Sequence, residues 1–383
     1  MTVKQYSFSS VAEIDGHSGF SADLVLGFGS KALLADSALY PALQAAYPKA
    51  IIGLASSAGE IFNTEVMDQT LSVVALAFDH TRLQWRNVDV GDDTDSFTAG
   101  ADLIRDLPAD ELQHVLILSD GSLVNGSELV KGMRSVLPDR IPVTGGLAGD
   151  GSDFGYTLVG INEIPRQGRI GAIGFYGTHL RVSHGSCGGW SPFGLEKTVT
   201  KATGNELLEI NGRNALAMYK EYLGKHAADL PGSALLFPLS IRLEGEEDYL
   251  VRTILSVDNE RSTMTFAGDL PVGSKVRFMR ANTDKLVDAA STAASAALSP
   301  FDTGRPAIAF LVSCVGRKLV LGERVDEEVE AVAEVLGPDT ILTGYYSYGE
   351  LAPVRAGGSC ELHNQTMTIT CLQEEGEQPN ATA

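Results

Sequence analysis

At 383 residues, with 20% charged and 44% apolar residues, the chain is long enough for two globular domains of ordinary composition. A formal net charge of -20 and a pI near 4.7 leave no basic stripe for a phosphate backbone or an anionic membrane surface, which argues against nucleic-acid binding. The opening MTVKQYSFSSVAEIDGHSGF lacks a signal-peptide apolar run, and no stretch approaches the ~20 apolar residues that span a bilayer, so a cytoplasmic location without membrane insertion is expected.

In chain order, residues 1–20 read as a leader strand or a loosely held arm. A unit then appears three times: a short apolar strand, a Gly/Ser turn, an amphipathic helix, and a second strand running into a glycine-serine loop. The first copy joins DLVLGFGS (residues 23–30) to AIIGLASSAGEI (50–61) through a helix with Leu39, Leu43 and Ala46 on one face and Asp36 or Ser37 as cap. Strands follow at residues 71–78 and in LQWRNVDV, then an acidic turn at 91–97 and a short helix ending near Pro108. The second copy joins HVLILSDGS (114–122) to IPVTGGLAGDG (141–151), its helix carrying Leu129, Met133, Val136 and Leu137, with Ser127 as cap.

After strands at residues 156–161 and 169–177 comes RVSHGSCGGWSPFG (181–194), whose glycines, proline, His184 and Trp190 read as a loop shaped around something. The plainer reading is an Ω-loop packed on its own Trp190 and Phe193. A hairpin turning near Gly204 and Asn205, a helix closed by Gly224, a strand in LPGSALLFPL and a hairpin tipped by Asp258 to Arg261 are expected next. A helix from Thr283 packs through Leu286, Ala290, Ala293 and Ala297. The third copy joins IAFLVSCVGR (308–317) to TILTGYYSYGEL (340–351) through a helix bearing Val325, Val329, Val332 and Leu336. From Gly27 to Gly53 is 26 positions, from Ser119 to Gly145 again 26, and from Ser313 to Gly344 31.

These units predict an α/β fold of repeated β-α-β units forming mixed sheets flanked by helices, in two domains, residues 1–212 and 213–373. Residues 374–383 read as a disordered acidic tail. The four cysteines show no C-x-x-C pair, so buried reduced thiols are expected, without a zinc knuckle, an iron-sulfur site or covalent haem attachment.

The loops GLASSAGEI and GYYSYGEL share S-x-G-E behind an earlier glycine, with Gly53 set beside Gly344, Ser56 or Ser57 matching Ser347, and Glu60 matching Glu350. Their small residues and free N–H groups would let a carboxylate or phosphate approach, making Gly53, Ser56, Ser57, Gly59, Glu60, Ser347, Gly349 and Glu350 candidate ligand contacts. The alternative is that the glycines only permit a tight turn. Tyr345, Tyr346 and Tyr348 would wall a pocket or form an edge of the core, and Arg317, Lys318 and Arg324 would hold a ligand carboxylate or sit solvated at a helix start. Neither serine loop has the G-x-S-x-G of a hydrolase elbow, so serine hydrolysis is a minor alternative and no enzyme activity is expected. His184 is the residue best suited to bind a metal or haem iron, although a lone histidine is more often only hydrogen-bonded.

Taken together, AIIGLASSAGEI, LSVVALAF, PVTGGLAGDG, NGRNALAMYKEYLG, FPLSIRLEGEEDYLVRTI and TGYYSYGELAP resemble the bacterial FIST sensory family, across roughly residues 20–372. One departure is Leu54-Ala55, where family members often carry cysteine and serine. The resemblance implies an N-terminal and a C-terminal FIST domain that sense a small ligand without catalysis and signal to a separate histidine kinase or cyclic-di-GMP enzyme. Its stand-alone branch implies a non-covalent haem b that senses nitric oxide, with His184 as proximal ligand and Trp190 and Phe193 beside the cofactor. The other branch implies an amino acid or similar carboxylate metabolite, held by the glycine-serine loops.

Overall fold

The computed structural model describes residues 1–14, 20–91, 94–230, 232–243, 245, 248–301, 304–355 and 357–375. The chain opens with strand β1 (Thr2–Phe8), followed by the first copy: β2 (Leu24–Gly29), α1 (Lys31–Leu34), α2 (Leu39–Ala46) and β3 (Ile51–Ser56). Then come β4 (Glu60–Phe62), β5 (Glu65–Met67), β6 (Leu71–Ala77), β7 (Arg82–Asp89) and α3 (Ser96–Arg105). The second copy is β8 (Leu112–Ser119), α4 (Gly126–Arg134) and β9 (Val143–Leu147), followed by β10 (Val159–Ile161), β11 (Arg169–Tyr176) and β12 (Leu180–Cys187).

A β-rich lobe comes next: β13 (Ser191–Thr203), β14 (Glu206–Ile210), β15 (Arg213–Asn214), α5 (Ala215–Leu223), β16 (Leu239–Arg242) and β17 (Leu250–Arg252). It ends with β18 (Ile254–Asp258), β19 (Thr263–Phe266) and β20 (Lys275–Arg280). Helix α6 (Thr283–Leu298) leads into the third copy, β21 (Ile308–Cys314), α7 (Val315–Leu321), α8 (Val325–Leu336) and β22 (Ile341–Ser347). Strands β23 (Gly349–Pro353), β24 (Cys360–His363) and β25 (Met367–Glu374) complete it.

All three repeats are β-α-β units. The pairs β2·β3, β8·β9 and β21·β22 are parallel, and every other pairing among the described strands is antiparallel. Register places Leu26 beside Gly53, Ile117 beside Gly145 and Leu311 beside Gly344, so an alignment that equates Gly27 with Ser119 and Ser313 slips by one residue. The sheets run β1-β6-β2-β3-β10, β24-β23-β9-β8-β11-β7 and β12-β25-β21-β22-β4-β5, with a fourth sheet in the lobe. The chain leaving each repeat adds a strand to another repeat's sheet: β4 beside β22, β10 beside β3, and β23 beside β9. Three of the four sheets therefore draw described strands from both sides of residue 212.

Side-chain alternation explains the uniformly apolar runs. Leu24, Leu26 and Phe28, with Leu116 and Leu118 and with Ile308, Phe310 and Val312, meet in one central core shared by the three repeats. The intervening residues face helices: Val25 packs under α2, Val115 and Ile117 under α3 and α4, and Ala309 and Leu311 under α6 and α8. Each strand is covered on both faces, so no polar alternation survives.

The structure corrects several local expectations. Most of residues 181–194 are strand, in β12 and the start of β13, and only Gly188 to Trp190 form the link between them. Gly185 and Gly189 admit the backbone of α6: a Cβ would lie 2.0 Å from the Ala293 carbonyl oxygen at Gly185 and 2.3 Å from that of Lys285 at Gly189. Asn125, not Ser127, caps α4, its Oδ1 accepting from the N–H groups of Ser127 and Glu128. Within LPGSALLFPL, Gly232–Leu236 form a short 3-10 turn and only Leu239 enters β16, and Glu374 is the buried end of β25, not the start of a tail. The expected disorder at residues 376–383 lies outside the described residues. No described helix is long and apolar enough to cross a membrane.

Candidate functional site

The glycine-serine loops turn out to be self-satisfied. Glu60 accepts hydrogen bonds from the Ser57 hydroxyl and from the N–H and hydroxyl of Thr70, which precedes β6. Glu350 repeats the scheme with Ser347 at 2.9 Å and Thr366, which precedes β25, at 3.1 and 2.7 Å. Each S-x-G-E is thus a buried staple joining the crossing segment to the next strand of the repeat it has left, β6 beside β2 and β25 beside β21. Burial raises both carboxyl pKa values, that of Glu350 to about 7, against the opposing pull of these donors. The loop amides are also taken: Ser57 N–H donates to Gly29, Ala58 N–H to Tyr346, and Tyr346 N–H to Gly59. Ser56 Oγ accepts from Leu158 N–H. Gly53, Ser56, Ser57, Gly59, Glu60, Ser347, Gly349 and Glu350 hold the crossings together.

The predicted cationic holders are committed too. Arg317 is fully buried, donating to Glu328 and to the carbonyls of Gly188 and Leu286, while Glu328 also accepts from Ser313 and Tyr346. Lys318 pairs with Asp68 and bonds the Ala58 carbonyl, and Arg324 pairs with Asp284 and Glu327. Tyr345 stacks on Phe28 in the central core at 4.6 Å between ring centres. Tyr346 belongs to the Glu328 network.

His184, Trp190 and Phe193 do not converge. His184 lies within β12 opposite Thr370, near the buried imidazoles of His114 and His363, and burial lowers its pKa. Trp190 donates its indole N–H to the Gln365 carbonyl and packs with Val251, Met279, Leu286 and Leu321. Phe193 packs instead on Tyr222 and Phe278 of the lobe. The residues expected around a haem thus occupy three separate environments and do not fit that group. Among the described residues no cluster of His, Cys, Asp and Glu is placed to hold a metal ion.

The structure does form a cavity, of about 650 Å³, where the C-terminal ends of β8, β9 and β21 face the lobe. Such strand ends are where α/β sheets commonly bind ligands. Its base holds Gly121, Ser122, Cys314 and Gly316, its roof Asn205, Thr253 and Phe266, and its mouth Leu123, Phe154 and Leu255. Of the residues singled out from sequence only Tyr348 lines it. Tyr348 stacks on Phe154 with ring centres 5.0 Å apart and donates its hydroxyl to Asp150, which also accepts from Lys31 at 2.9 Å. Burial opposes ionisation of Asp150, but the Tyr348 and Lys31 bonds outweigh it and hold the carboxyl below its usual range. Burial raises the Cys314 thiol well above its usual value, keeping it protonated. Gly121 to Asn125 and Cys314 to Gly316 follow the first strands of repeats two and three, so the strand-end rule applied there would have found them. Thr253 and Phe266 lie in the lobe with no local signature.

Comparison with protein families finds a FIST N domain over residues 23–213 and a FIST C domain over residues 215–353. The chain belongs to the FIST family. FIST domains are small-ligand sensing domains, which makes this chain a sensory protein in that general sense. The cavity takes its base from the FIST N and FIST C matches alike, through Gly121 and Cys314. Comparison with curated proteins returned no match.

Proposed function

We propose that this FIST protein is a non-catalytic sensor whose small ligand binds in the cavity between the second repeat, the third repeat and the lobe. One observation carries the reading: the cavity is walled by both FIST domains, so occupancy changes the contact between them. Tyr348 links the cavity to Asp150 of the second repeat and, through it, to Lys31 of the first, giving bound ligand a route to all three sheets. The altered surface is read in trans by a separate protein, a histidine kinase or a cyclic-di-GMP enzyme, as the family resemblance implies.

The test is mass spectrometry of small molecules released from the purified protein on denaturation. A compound that co-purifies with the wild type and is lost from Ala267→Trp, which fills the cavity, supports the reading; retention by the filled variant sinks it. The nitric-oxide reading has its own test, an absorption spectrum after haem addition and reduction. A saturable Soret band that shifts with nitric oxide and vanishes in His184→Ala would restore His184 as a ligand.

A further inference from the structure

Resting on that sensor reading, we infer that the rim of the cavity is where the signal-receiving protein docks, and that it takes from that protein an amphipathic helix flanked by Lys or Arg. Leu123, Phe154 and Leu255 at the mouth are 53%, 49% and 49% exposed. Tyr156 and Leu236 stand next to the lining residues Gly155 and Leu235, and Leu319 lies one helical turn beyond Val315. These six are nearly half of the large apolar side chains exposed among the described residues. Such a concentration marks an interaction surface, where single scattered apolar residues would not. Phe154 adds a sign of its own. Its φ of +51° is uncommon for a bulky residue, and the stack on Tyr348 and an N–H donated to the Tyr348 hydroxyl hold it there while the residue stays half exposed.

Position and charge say what covers this rim. Leu123, Phe154 and Tyr156 belong to the FIST N match and Leu236, Leu255 and Leu319 to the FIST C match, so one helix laid across the mouth touches both domains that a bound ligand would shift. A second copy of the chain would bring a net charge of -20 against another of -20, and an anionic membrane is repelled in the same way. Beside the rim the carboxyl groups of Asp120, Asp150 and Asp153 outnumber the one ammonium of Lys31, and Lys318 is taken by Asp68. A cationic partner meets this field favourably. Strand addition at β18, the sheet edge beside the mouth, is discouraged by the register shift between Ile254 and Ser256, which leaves Leu255 in a bulge. The apolar stripe of a helix is the mode that fits.

The experiment is calorimetric titration of the full chain with a synthetic Leu/Lys amphipathic helix. Its controls are a Leu/Glu helix of the same pattern and a Leu/Lys peptide of the same composition with the leucines scattered. The first should bind, more weakly as salt is added, and the controls should not. Leu123→Ser combined with Leu255→Ser should weaken it about tenfold. Leu195→Ser, at a residue 80% exposed in β13 that does not line the cavity, should leave it within about twofold. Equal binding of either control, equal loss in the Leu195 variant, or silence from the first helix would overturn the docking surface without touching the co-purification result. A wild type that sediments as a dimer, with the rim variant a monomer, would overturn it in favour of a second copy. A co-purified compound retained by Ala267→Trp, with the helix still bound at the rim, would instead sink the ligand reading alone.

Discussion

Register places Lys31 of the first repeat, Ser122 of the second and Gly316 of the third at the same step beyond the strand. In the first repeat this step is filled, because Ser30 caps α1 and the Lys31 ammonium reaches across to Asp150. In the other two the side chain is small, and the cavity opens against the lobe. What the repeats share, the buried strands and the Ser-Glu-Thr staples of repeats one and three, is architecture. Where they depart from one another is where a ligand can enter.

The strongest way to break that comparison is on the filled side of the third repeat, where Arg317 follows Gly316. Arg317→Met leaves Glu328 buried without its cation and should cost about 3–5 kcal/mol in chemical denaturation, with a collapse of cooperativity as the accompanying sign. A variant as stable as wild type would mean that the network contributes nothing net.

The staples can be compared by pH. Folding raises Glu350 from the ordinary 4.5 to about 7, so between those values the folded chain holds a proton that the unfolded chain has lost. Stability should therefore fall as pH rises across that window and level off above about 7. Glu350→Gln should flatten this slope, by at most about 3 kcal/mol over the window, when melting temperature is followed against pH. Glu60→Gln should flatten it less, because Thr70, unlike Thr366, is only half-buried and leaves that carboxyl nearer to water. Identical slopes for the two variants would show that the staples titrate alike.

The mildest change converts one repeat toward another. Lys31→Ser, which gives the first repeat the residue of the second, removes the Asp150 ion pair but leaves the Tyr348, Gly155 and Tyr156 bonds. A loss of about 1 kcal/mol is expected, and a loss above about 3 kcal/mol would mark Lys31 as a central support.

The three repeats were legible because a strand covered on both faces shows itself as an unbroken apolar run, and Leu24 to Phe28, Val115 to Leu118 and Ile308 to Val312 all do. The glycines of residues 181–194 misled, since a glycine that admits the backbone of α6 leaves the same trace as one that admits a ligand. Ser57 and Glu60 misled for a related reason: a buried polar group needs partners, and whether these come from ligand or protein depends on Thr70, ten residues on, settling beside it. The cavity was half legible, in loops opposite those chosen. Its roof, Thr253 and Phe266, is brought in from the lobe by tertiary packing that no local pattern records.

The exchange of strands between repeats bears on how the chain is born. The sheet of the third repeat places β25, the last of the described strands, between β12 and β21. A nascent chain can pair β2 with β3 early, yet β12 must wait for its neighbour until Met367–Glu374 have been made. Long-separation pairing of this kind slows folding and leaves strand edges uncovered meanwhile. Loss of Met367–Glu374 would part β12 from the rest of the third sheet.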